Sequence, residues 1–233
     1  MTHFSRGSSL FLLTLLLTAV PVHGQQEQAE RIQNATVVLE EIMAAPDQAI
    51  PASVLQKAAA IAVFPSTIKG GFVLSAHRGR GIISVRDPQA NTWSLPAFLT
   101  VTGGSIGAQI GAQAIDIVLV VMNRRGVENL LQNQFKVGAA GEATAGPVGR
   151  AAEASTDIQM RAQILSYSRS RGLFAGVSLN GTAIRQDRDA NEDLYGQPYR
   201  TRSIVLDKNA SMPKEGDAID GWWKMLTKYA ALP

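Results

Sequence analysis

The chain contains no cysteine, and only three of its 233 residues are histidine. The first absence excludes disulfides, thiol nucleophiles and cysteine-bound metals. The second leaves little imidazole chemistry, because His3 and His23 flank an N-terminal apolar run and only His77 lies in the body of the chain. A large charge of one sign is also missing, since 22 Lys and Arg face 19 Asp and Glu, for a net +3. Nucleic-acid binding calls for a larger, clustered basic excess, so no nucleic-acid partner is expected. Nor does the chain show an apolar run of the roughly 20 residues that a membrane-spanning helix needs.

What the N-terminus does have is Arg6 followed by an apolar run of eleven residues, Leu10 to Val20, and then Pro21-Val22-His23-Gly24, with small or apolar residues third-last and last. That is the pattern of a secretory signal peptide rather than a permanent anchor. Cleavage after Gly24 is expected, giving a signal peptide of residues 1–24 and one mature domain of residues 25–233. Cleavage removes Arg6 and no acid, leaving 21 basic against 19 acidic side chains. With no cysteine to carry a lipid anchor, the mature protein is expected to be periplasmic or secreted, meeting a membrane only by its surface. At this length a domain buries enough apolar surface to be stable without cross-links.

From Gln25 to Met43 the apolar residues Ala29, Ile32, Ala35, Val38, Leu39, Ile42 and Met43 recur every three or four positions, with Glu27, Glu30, Arg31, Asn34 and Glu41 opposite; this predicts an amphipathic helix. Pro51 suits the first turn of a second helix running to Ala60, and Pro65 is expected to stop the apolar segment Ile61–Phe64. Strands are predicted over Gly71–Ser75, Gly81–Arg86, Ala97–Thr102, Ile115–Val121, Gly172–Leu179 and Thr182–Arg185. Arg78-Gly79 and Asn180-Gly181 read as hairpin turns, so neighbouring strands should be mostly antiparallel. The two hairpins resemble each other loosely, each leading to an Arg-Asp pair, through either duplication or chance. Short helices are expected over Val127–Gln132 and Gly221–Ala231.

Tests for catalysis fail one by one. His77, read as a solvated turn residue, has no companion ligands for zinc and no triad context. The run from Gly103 to Gly111 leads into a strand, not a helix, and lacks the lysine of a P-loop; its glycines instead permit bends or close backbone approach. The acid pairs Glu40-Glu41, Asp187-Asp189 and Glu192-Asp193 lie in polar stretches and read as solvated. Neither an enzyme nor a cofactor is expected.

Nine blocks occur in order along the chain: Ala59–Pro65 (AAIAVFP), Lys69–Phe72 (KGGF), Gly79–Gly81, Trp93–Phe98 (WSLPAF), Gly103–Gly111 (GGSIGAQIG), Ala145–Arg150 (AGPVGR), Ser166–Ser168, Arg171–Val177 (RGLFAGV), and Asn191 with Tyr195-Gly196. Together they resemble the SYLF domain family across nearly all of the mature chain. The resemblance implies binding rather than catalysis. Eukaryotic members bind phosphoinositide-containing membranes and some bind actin, while exported bacterial members associate with phospholipid. The basic N-terminal helix tied to membrane binding in some eukaryotic members is not matched, since here that helix carries Glu27, Glu30, Glu40 and Glu41.

The expected partner is therefore an anionic phospholipid surface met by basic turns, each cation contributing about 1 kcal/mol. The candidates are Lys69, Arg78 and Arg80; Arg124 and Arg125; and Arg169 and Arg171 beside Tyr167. In the last helix Trp222, Met225, Leu226 and Tyr229 have core-facing spacing, leaving Trp223 with Lys224 and Lys228 for a membrane boundary. A protein partner in the cell envelope is the rival expectation. The fold class expected is α+β, an antiparallel, strongly bent sheet or half-barrel flanked by N-terminal and C-terminal helices.

Overall fold

A computed structural model describes residues 21–45, 49–71, 74–106, 111–137, 143–149, 162–170 and 173–231. Helix α1 (Pro21–Met43) begins upstream of the expected cleavage point, and α2 (Ala52–Gln56) is shorter than predicted. The strands are β1 (Ala60–Gly71), β2 (Leu74–Asp87), β3 (Thr92–Trp93), β4 (Ala97–Ile106), β5 (Gly111–Val121), β6 (Gln134–Lys136), β7 (Ala143–Ala145), β8 (Ile164–Ser170), β9 (Leu173–Gly176) and β10 (Thr182–Gln186). Helix α3 (Arg124–Leu130) follows β5, and α4 (Arg188–Tyr195), α5 (Thr201–Val205) and α6 (Gly216–Tyr229) complete the chain. The strand order is β6-β10-β4-β2-β1-β5-β8-β7, with β3 on β2 and β9 on β8. All described pairings are antiparallel except β7 with β8, so the sheet is mixed.

The central strands are apolar on both faces. Along β1, Ile61 and Val63 point into one core with Ile82, Phe98, Val118 and Val120, beneath Ile32, Leu39 and Ile42 of α1 and Trp222 and Leu226 of α6. Ala60, Ala62 and Phe64 point into the other with Ile83, Leu99, Ile117 and Leu119, beneath Val127 of α3 and Ile204 of α5. This period-two alternation between two apolar layers explains the near-continuous hydrophobic runs of these strands. The result is an α+β half-barrel flanked by N-terminal and C-terminal helices, as expected.

Three turn signals proved to serve other ends. Pro65 does not stop β1; it sits in a bulge where pairing skips from Val63 to Ile68 on β2 and from Phe64 to Thr67 on β5. A bulge leaves residues out of the ladder, so the missing proline N–H costs no hydrogen bond. Ser66 takes φ 47 there, and its N–H donates to Asp116 Oδ1 at 2.9 Å. Arg78-Gly79 is no turn but part of β2, opposite Ile68 and Val101 respectively. Its glycine answers a need for space, since a Cβ at Gly79 would lie 2.1 Å from Thr67 Oγ1. Asn180-Gly181 does turn, with Gly181 at φ 80, but it closes no hairpin, because β9 pairs with β8 whereas β10 lies between β4 and β6. In a flat sheet β9 and β10 would stand six strand spacings apart, about 29 Å at ~4.8 Å per strand. The six residues from Gly176 to Thr182 reach at most about 22 Å even when fully extended, and they contain a turn in which the Thr182 N–H donates to the Leu179 carbonyl at 3.0 Å, so the sheet is curled to bring β9 and β10 within reach.

Strand β8 and helices α4 and α5 have no counterpart in the sequence reading. Helix α4 is set by Asp187, whose carboxylate accepts from the Ala190 N–H at 3.3 Å, and by Gly196 at φ 70 past its end. Among the described residues no helix is long and apolar enough to cross a membrane.

Gly81 marks a tight strand contact that can be tested directly. A Cβ there would lie 2.3 Å from the Val63 carbonyl oxygen and 2.5 Å from Phe64 Cδ1, and the first of these is backbone that cannot swing aside. Gly81→Ala is expected to lower unfolding free energy by about 2–3 kcal/mol, the upper part of the overpacking range, in urea denaturation. A change within 0.5 kcal/mol, the size of about a neutral surface substitution, would contradict this packing.

Candidate functional site

The register sorts the predicted basic residues to opposite ends of the sheet. Gly71 pairs with Ser75 and Gly111, Ser75 with Ser105, and Asp116 with Arg169, so one end collects the β1–β2, β4–β5 and β8–β9 connections. Lys69, Arg78, Arg80 and Arg169 belong to this half. Arg124 and Arg125 follow the opposite end of β5, and Trp223 docks beside Ser94 just before β4. Lys224 and Lys228 are exposed on α6, where the Lys228 ammonium lies 4.7 Å from the Tyr229 ring. Arg171 lies outside the described residues.

Within the first group the cations are not equivalent. Arg80 binds Glu27 of α1 at 2.6 Å. Arg169 is held by Asp116 at 2.7 Å and by Glu41 of α1. Arg78 is exposed and pairs with no acid among the described residues. Lys69 is half-buried opposite His77. His77 is not the solvated turn residue expected: its Nε2 lies 3.1 Å from Thr182 Oγ1, and its ring fills the space over Gly103. Burial, and then the charge of Lys69, lowers its pKa.

Tyr167 is excluded as a surface contact. It is fully buried, stacked on Phe174 at 5.3 Å, with Gly146 against its ring, and burial raises the pKa of its phenol. Its alternation with Leu165 on β8 points it beneath α1 rather than outward. The same helix corrects the reading of Arg31 and Asp187 as solvated, since they form a buried pair at 2.9 Å with the guanidinium 5.0 Å from the Phe98 ring centroid. Trp222 packs inward as its spacing predicts, whereas Trp223, expected at a membrane boundary, is half-buried against the domain. Trp222 is buried with its Nε1–H donating to Ser84 Oγ at 2.9 Å, and Trp223 is half-buried with its Nε1–H donating to the Ser94 carbonyl at 2.9 Å.

Two side chains passed over in the sequence complete the picture. Ile68 is 63% exposed and Leu173 72% exposed, and both stand at the connection-rich end. The signal was present in Thr67-Ile68-Lys69, where an apolar residue adjoins a cation without an apolar partner two positions away; Leu173, between Gly172 and Phe174 with Ala175 two positions on, carried no such signal. Between α1 and this end lies a cleft of about 940 Å³ lined by Glu27, Asn34, Ile68, Arg78 and Arg80.

The family model Ysc84, described as "Las17-binding protein actin regulator", matches residues 102–229. The chain is 34% identical to SH3 domain-containing YSC84-like protein 1 of Rattus norvegicus over 75% of its own length and 50% of the relative's. It belongs to the Ysc84, or SYLF, family. Protein YSC84 of Saccharomyces cerevisiae is 32% identical, over 74% of this chain and 37% of that protein. LAS seventeen-binding protein 3 of the same species is 32% identical, over 79% and 39%. The chain thus spans half or less of the length of these Ysc84 relatives. The family description speaks of binding and of actin regulation, and the name LAS seventeen-binding protein 3 of binding, neither of a reaction.

The ion pairs predict unequal mutational costs. Arg169→Ala strands a half-buried Asp116 and should cost about 1–3 kcal/mol in denaturant unfolding, whereas Arg78→Ala should stay within about 0.5 kcal/mol. Equal costs would show that Arg169 is as free as Arg78.

Proposed function

We propose that the protein is an exported, non-enzymatic phospholipid-binding member of its family, which meets anionic membranes through the connection-rich end of the sheet. The observation that carries this reading is that Ile68 and Leu173, exposed and apolar, stand at the same end of the sheet as Arg78 and Lys69. Apolar side chains enter the headgroup boundary while nearby cations are drawn to the anionic surface. Arg80 and Arg169 contribute less, because α1 already supplies their counter-charges.

Co-sedimentation with liposomes containing anionic lipid is expected at low salt and should weaken as salt rises; purely zwitterionic vesicles should bind less. Lys69→Ala with Arg78→Ala should reduce anionic binding about 30-fold, at about 1 kcal/mol for each cation. Ile68→Ser with Leu173→Ser should reduce it without changing the salt slope. No binding to any liposome at low salt overturns the proposal.

Export is supported by the apolar run and by the place where α1 begins to pack. Among the residues from Gly24 on, Gln28 and Ala29 are the first buried, so cleavage after Gly24 would leave these core contacts in place. Fractionation should find a shortened chain outside the cytoplasm, with Gln25 as its first residue. An intact Met1 end in the cytosol would refute export.

The names of the Las17-binding relatives favour a second reading, in which a protein occupies the same end. A stoichiometric protein partner recovered from cell envelopes without lipid, and lost in the Ile68→Ser, Leu173→Ser protein, would select it.

A further inference from the structure

Arg86 is the one buried arginine that no carboxylate pairs with among the described residues. It lies at the end of β2 and is 7% exposed. Its Nη2 donates to the Leu55 carbonyl at 3.1 Å and to the Ala230 carbonyl, and its guanidinium carbon stands 4.7 Å from the Trp93 ring centroid. Nε and Nη1 are buried with no hydrogen-bond partner. No carboxylate pairs with it among the described residues, in contrast to Arg31 and Arg169. The nearest in sequence, Asp87, is taken by Lys208 at 2.6 Å and by the N–H groups of Gln89 and Ala90. A buried guanidinium left without an anion is a strong cost, and burial accordingly lowers its pKa.

Two cavities meet at this side chain. One of about 500 Å³ has walls from Trp93, Trp223, Val205 and Leu206; the other, of about 540 Å³, is walled by Ala58, Ala59 and Val127. Val85, Arg86, Pro88 and Arg124 line both. Each volume falls within the ~300–1,000 Å³ of small-molecule sites, toward its lower half. The surroundings combine the buried Arg86 with the exposed Arg124, which also pairs with Glu128 at 3.1 Å. The walls are mainly apolar in the second cavity and mixed in the first, where Asp87 and Lys208 lie beside Trp93, Val205 and Leu206. A molecule anionic at one end and apolar along the rest complements them.

We propose that this paired cavity binds a single-chain anionic amphiphile, its acid head on Arg86 and Arg124 and its alkyl chain along Trp93, Trp223 and Leu206. The head chemistry, carboxylate or phosphate, supplies the missing counter-charge. The bare-anion alternative leaves the aromatic and aliphatic walls unused. The site stands at the end of the sheet opposite Ile68 and Leu173, so it goes beyond the membrane contact proposed above and can hold or fail independently of it.

Laurate, lauryl phosphate, dodecanol and inorganic phosphate are titrated into the protein, followed by calorimetry and by tryptophan emission, to which Trp93 and Trp223 contribute. Laurate and lauryl phosphate should bind saturably, dodecanol at least tenfold more weakly, and inorganic phosphate without saturation. Arg86→Met and Ala210→Trp, the latter filling the cavity while leaving Arg86 in place, should each weaken laurate at least tenfold and leave liposome co-sedimentation unchanged. The Lys69→Ala, Arg78→Ala protein should do the reverse. Absence of saturable laurate binding by the unmodified protein overturns the proposal, as does dodecanol binding as tightly as laurate. Inorganic phosphate displacing laurate, or wild-type laurate affinity in both folded variants, overturns it equally.

Discussion

The central strands are buried on both faces, and most of the molecule follows from how far the covering layers reach along them. Where α1 and α6 lie on one side and α3 and α5 on the other, β1, β2, β4 and β5 alternate between two apolar cores. Toward the connection-rich end the strands become rich in glycine, and Ile68 and Arg78 emerge into solvent. The bulge at Pro65 and Ser66 falls at this transition. Gly79 and Gly81 lie against it because a side chain at either position would strike β1.

Buried polar groups fix how the layers sit. Arg31 and Asp187 join α1 to the start of α4, over Phe98. Asn191, fully buried, accepts from the Phe98 N–H at 2.9 Å and donates to the Tyr199 carbonyl at 3.2 Å, and Trp222 reaches Ser84 through the core. Each satisfies a group that would otherwise be costly to bury, and together they tie α1, α4 and α6 to particular strands. The acidity of α1, at odds with a membrane-binding helix, has a local purpose: Glu27 and Glu41 neutralise Arg80 and Arg169. Charge on the sheet is thereby sorted into paired cations beneath the helix and free ones beyond it.

The two ends of the sheet differ in kind. One is open and combines exposed apolar side chains with unpaired cations, as suits a surface contact. The other is enclosed by β3, α5 and α6, and its cation is buried beside aromatic rings.

Much was legible in the residues alone. The heptad-like spacing of α1, the apolar strand blocks and the burial of Trp222 follow from local order, because short-range periodicity encodes which face is buried, and the family was legible in the resemblance of nine ordered blocks. Local order could not tell what a turn-like dipeptide was for: Arg78-Gly79 is a place of close strand approach, and Asn180-Gly181 joins strands that belong to opposite sides of a curled sheet. Nor could it show that Tyr167 points inward, that Arg169 is spoken for, or that Arg86 is not. Whether a basic residue is free depends on which acid the fold brings beside it from fifty or a hundred positions away, and that pairing exists only once the strands are in register beneath the helix.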